Sequence, residues 1–101
     1  MVSIEFDRDN LCVTVKGHAQ SGEAGHDLVC AATSALVYTL AADVERLCQP
    51  SAIRLEEGDA EISCSPDADY RLMVTFLFES ICVGFEMLSV DYSEFVSYVI
   101  V

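Results

Sequence analysis

The sequence predicts an α+β domain of ββαββαβ order, with a mostly antiparallel five-stranded sheet packed with two long helices. Three observations predict it. Short segments alternate apolar and polar residues, two long segments repeat apolar residues at helical spacing, and turn residues separate them.

The elements follow in chain order. In VSIEFD, residues 2–7, alternation puts Val2, Ile4 and Phe6 on one face. Arg8, Asp9 and Asn10 supply a turn, and LCVTVKG, residues 11–17, sets Leu11, Val13 and Val15 on one face to complete a hairpin. A loop from His18 to His26 follows, with Gly22 and Gly25 as flexible points. A first helix spans 27–48: Asp27 is its N-cap, Val29, Ala32, Leu36, Leu40, Val44 and Leu47 recur along it, and Pro50 ends it. AIRLEEGDAEISCS, residues 52–65, reads as a second hairpin turning at Glu57-Gly58 or Gly58-Asp59. Beyond Pro66, a second helix over 67–92 opens at Asp67 or Asp69. Its polar residues Arg71, Thr75, Glu79 and Glu86 form one stripe, so its broad apolar surface predicts contact on more than one side. EFVSYVIV, residues 94–101, supplies the last strand.

At 101 residues the chain reads as one domain, 1–101, and its 52% apolar content suits a globular core with surface left over for self-association. Seventeen acidic against five basic residues give a net charge of −12, which repels nucleic acid and anionic membrane surfaces and attracts a basic partner. The same charge also serves plain solubility. Cys12, Cys30, Cys48, Cys64 and Cys82 form no CxxC pair and are odd in number, a pattern of free thiols in a reducing cytoplasm. The opening MVSIEFDRDN lacks the apolar run of a signal peptide, and Glu79 and Glu86 interrupt the most apolar stretch, 72–90, so a soluble cytoplasmic protein is expected.

The chemistry concentrates in GHAQSGEAGHDLVCAATS, residues 17–34. With Asp27 as N-cap, Cys30 is the third helical residue, among the backbone N–H groups that a helix start leaves over. The positive end of the helix dipole favours a thiolate there, and a nearby imidazolium from His18 favours it further. Ser34 sits one turn on, on the same face. On local physics a cysteine in an alanine-rich helix is more often a small buried hydrophobe than a nucleophile. A metal site of His18, His26 and Cys30, with Asp27 or a water as fourth ligand, is a further reading that no close-spaced ligand pair supports.

Gly17-His18 at a strand end, followed by Gly25-His26-Asp27-Leu28-Val29-Cys30-Ala31-Ala32-Thr33-Ser34 opening a helix, resembles the paired half-motifs of the ribosomal-processing cysteine proteases, the Prp family. Chain length and element order agree with it. The resemblance implies a Cys/His dyad, with Cys30 as nucleophile and His18 as general base, and with Gly17, Gly25, Asp27 and Ser34 as supporting residues. It implies an endopeptidase that removes a short N-terminal extension from a large-subunit ribosomal protein precursor. It also implies a homodimer that needs no cofactor. His26 occupies the variable position of the motif and offers a second imidazole; His18 is the expected base because it matches the Gly-His half-motif on a strand end. Two other classes stay open: a non-catalytic module binding a basic ribosomal partner, and a small His/Cys metal or redox sensor.

Overall fold

The computed structural model describes residues 1–18 and 27–101. Along the chain run β1 (Val2–Asp7), β2 (Cys12–Lys16), α1 (Leu28–Leu47), β3 (Ser51–Glu56), β4 (Asp59–Cys64), α2 (Arg71–Asp91) and β5 (Val96–Ile100). This is the predicted ββαββαβ order. The five strands form one sheet in the spatial order β3-β4-β2-β1-β5. Three neighbouring pairs are antiparallel, and β5 returns parallel to β1, with Ile4 opposite Tyr98.

Alternation gives the sheet two unlike faces. Val2, Ile4 and Phe6 of β1, Val13 and Val15 of β2, and Ala60, Ile62 and Cys64 of β4 are buried beneath the helices. The opposite face carries a polar row in which Glu5 pairs with Thr14, Thr14 with Glu61, and Glu61 with Arg54. A one-residue slip of any strand would exchange the two sets, so burial of one face fixes the register.

Helix α1 begins where Asp27 accepts the Cys30 N–H at 2.9 Å, as an N-cap does. Its buried stripe is Val29, Thr33, Val37, Leu40, Ala41 and Val44, rotated from the predicted one; Leu47 faces solvent. Thr33 is accommodated in the core because its hydroxyl donates to the Val29 carbonyl at 2.8 Å. Cys48 forms the C-terminal cap.

The start of α2 differs from expectation. Neither Asp67 nor Asp69 caps it by a side-chain hydrogen bond; a 3₁₀ turn, Ala68–Tyr70, leads into the helix at Arg71. Val74, Phe78, Cys82 and Phe85 lie on the sheet, and Phe78 stacks on Phe6 with ring centroids 6.0 Å apart. The polar stripe is anchored to the β1–β2 turn: Arg71 donates to the Asp9 carbonyl and Glu79 pairs with Arg8. Both helices are long and apolar enough to cross a membrane. Each lays a buried stripe on the sheet, as core helices do. On the far side of α2, however, Leu72 (83% exposed), Phe76 (71%), Val83, Met87 and Val90 form a second, uncovered apolar stripe.

Candidate active site

The start of α1, the end of β2 and the tip of the β3–β4 hairpin meet around a cleft of about 330 Å³. Gly17, His18, Cys30 and Ser34 all line it, so residues separated by up to seventeen positions in sequence share one cavity. Gly25 and His26 lie outside the described residues.

Each residue reaches the cleft for a local reason. Gly17 reverses the chain at φ +96, and a side chain there would place Cβ 2.2 Å from the Met1 carbonyl oxygen, so only glycine ends β2 in this way. Its N–H donates to the Gly58 carbonyl at 2.9 Å and ties the strand end to the hairpin tip. His18 follows at once, exposed to the cleft. Cys30 lies half-buried in the first turn of α1, and Ser34, also half-buried, lies one turn further. Asp27 does more than start the helix: by accepting the Cys30 N–H it fixes the backbone that carries the thiol.

That bond corrects one expectation. The Cys30 amide is occupied by Asp27 Oδ1 and the Ala31 amide by the Asp27 carbonyl at 3.0 Å. The amides of Leu28 and Val29 are therefore the first-turn donors with no acceptor among the described residues. His18 and Cys30 face the same cleft without a hydrogen bond between them among the described residues. Imidazole and thiol commonly close such a gap only when substrate is bound.

The remaining thiols do not line the cleft. Burial pushes the Cys82 thiol up to about 11. Burial, and then the charge and hydrogen bond of Glu61 (Sγ to Oε1, 3.6 Å), push Cys12 to about 11. Burial likewise raises Cys48 and Cys64. Among the described residues no group of three His, Cys, Asp or Glu side chains is placed to hold a metal ion. The trio of His18, His26 and Cys30 falls partly outside them.

Sequence reasoning passed over the opposite wall. Glu56, Glu57, Gly58 and Asp59 of the hairpin line the cleft facing α1, with Val37, Tyr38 and Leu55 as apolar lining. Arg54 binds Asp59 at 2.7 Å, and that hydrogen bond holds the Asp59 carboxyl below the usual range. Its other oxygen, Oδ1, is buried with no hydrogen-bond partner among the described residues. The cleft thus brings a thiol, an imidazole and the carboxylates of the hairpin onto one cavity. This set suits acyl transfer.

Known proteins agree with that chemistry. The chain matches the family model of cysteine protease Prp over residues 1–97. It is similar to SMU.848 from Streptococcus mutans, at 30% identity and a TM-score of 0.74, covering 98% of this chain and 90% of that one. It also resembles the essential ribosomal processing protease Prp from S. aureus in complex with a covalently linked product peptide. There the identity is 22% and the TM-score 0.80, with 99% of this chain and 97% of that chain covered. The complex of the S. aureus protease with a substrate peptide gives 21% and 0.74, over 99% and 97% of the two chains. No curated protein matches the sequence significantly.

Proposed function

This chain belongs to the cysteine protease Prp family, and from that premise we propose that it trims a short N-terminal extension from a large-subunit ribosomal protein precursor with a Cys30/His18 dyad. The observation that carries the proposal is the convergence of Cys30 and His18 on one cleft, with Cys30 in the first turn of α1. Relatives described as ribosomal processing proteases bind substrate and product peptides.

In the proposed reaction the Cys30 thiolate attacks the scissile carbonyl carbon and the carbonyl π electrons move to oxygen. Backbone N–H groups near the start of α1 and the helix dipole stabilise the oxyanion. On collapse, the imidazolium of His18 protonates the departing amine, leaving a thioester on Cys30. Water, deprotonated by His18, then releases the acid and restores the thiol. Asp27 holds the nucleophile's backbone, and Ser34 and Gly25 support the site.

The substrate class rests on charge. A net −12, with Glu56, Glu57 and Asp59 on the cleft wall, draws in the cationic segment of a ribosomal protein. The five free cysteines suit a reducing cytoplasm. The uncovered stripe of α2 supports a homodimer, since an apolar strip of this length is otherwise left in water. The test incubates the purified chain with the ribosomal protein precursor of its own source and follows the precursor's mass. One new N-terminus, lost in Cys30→Ala and in His18→Ala and slowed by salt, is expected. An uncut precursor, or cutting that survives Cys30→Ala, overturns the proposal.

A further inference from the structure

We infer that Gly58, at the tip of the β3–β4 hairpin, is a positioning residue that seats the imidazole of His18. The inference rests on the reading of His18 as general base and adds the group that decides where the ring lies.

A Cβ at position 58 would stand 2.7 Å from His18 Nε2, 3.2 Å from Cε1 and 3.4 Å from Cδ2. These three atoms are one edge of the ring, so the imidazole presents that edge to a bare Cα, in space that any side chain would fill. Gly58 also has φ +70, a left-handed conformation. The two demands are separable. Asparagine tolerates the left-handed region, so the turn alone would accept it. The seat would not, because asparagine brings a Cβ.

What gives way on substitution follows from how the neighbourhood is held. The Gly58 carbonyl accepts the Gly17 N–H at 2.9 Å, Lys16 pairs with Asp59 in register, and Asp59 is held by Arg54 at 2.7 Å. Hairpin tip and strand end are therefore tied together, and the turn is held more firmly than the ring. The ring is the movable part, being the far end of an exposed side chain with two rotatable bonds. A Cβ at 58 turns it out of its seat at small cost to folding and large cost to proton transfer. A misplacement of about 1 Å in a reacting group lowers rates about 10²-fold.

The test compares the wild type, Gly58→Asn, His18→Ala and the double variant. It reads kcat and KM for cleavage of the precursor, and the rate of Cys30 carbamidomethylation by iodoacetamide at pH 6.5. In Gly58→Asn, kcat is expected to fall about 10²-fold with KM little changed. Alkylation should slow toward the His18→Ala rate, and the substitution should cost nothing further in the His18→Ala background. Equal losses in both backgrounds, or a Gly58→Asn enzyme as fast as the wild type beside a slow His18→Ala, overturn the role of Gly58 alone. A His18→Ala enzyme as fast as the wild type overturns the general-base reading and this inference with it. Should Gly58→Asn fail to fold, the wild type supplies the check by NMR. A cross-relaxation peak between the Gly58 Hα and the His18 ring protons is expected, and its absence overturns the seat.

Discussion

Replacing Asp27 by alanine removes the side-chain acceptor that meets the Cys30 N–H, at 2.9 Å in a partly buried setting. Loss of such a cap costs about 1 kcal/mol. For a chain of 101 residues that lowers Tm by about 4–8 °C, measured by circular dichroism at fixed protomer concentration. Asp27→Asn keeps an oxygen in the same place and gives up the favourable charge at the helix start, worth about 0.3–1 kcal/mol. The expected order of stability is therefore wild type, then Asp27→Asn, then Asp27→Ala. The same order should not hold for chemistry. The asparagine variant retains the backbone position of the nucleophile and removes a negative charge beside a thiolate, so its cleavage rate should stay near wild type. The alanine variant frees the first turn and loses rate as well as stability. An alanine variant with unchanged Tm, or an asparagine variant as unstable as alanine, would refute the cap as the device that holds Cys30.

The thiols provide a second check. With Cys12 and Cys82 held at about 11, each is thiolate in only about one part in 10⁴ at pH 7, and the fraction rises tenfold per pH unit. Peptide mapping after iodoacetamide at pH 7 should find label on Cys30 and not on these two; label on Cys12 at pH 7 would contradict the account. On the outer stripe of α2, Phe76→Glu leaves the core untouched because Phe76 is 71% exposed. Sedimentation equilibrium should show a dimer turned monomer with unchanged circular dichroism; a wild-type monomer would sink the dimer reading.

How much of this was legible beforehand depends on how local each signal is. Val2, Ile4 and Phe6 announce their strand by alternation, and all three are buried. Asp27 announces its cap by residue type and place, and it makes that bond. The rotation of the buried stripe of α1 was not legible, because alanines, Thr33 and Val37 make several faces of that helix able to pack; tertiary contact selects among them. Asp67 and Asp69 looked like caps, yet a 3₁₀ turn starts α2, where Arg71 reaches the β1–β2 turn. The parallel pairing of β5 with β1 joins strands some ninety positions apart and leaves no periodic trace. At the site, the residues within one motif could be read, Cys30 and His18 among them. The opposite wall could not. Gly58 stands forty positions from His18, and the register of Lys16 with Asp59 and the Gly17–Gly58 hydrogen bond bring them together.

The central claim is that the sulfur of Cys30 becomes acylated during peptide cleavage. Acid quenching of the enzyme within milliseconds of mixing with excess precursor, followed by intact-mass and peptide mapping, tests it most directly. The account predicts a thioester adduct on Cys30 whose added mass is that of the excised N-terminal segment less one water, absent in Cys30→Ala. Cleavage at full rate with no adduct on Cys30, or an adduct on another cysteine, would contradict it.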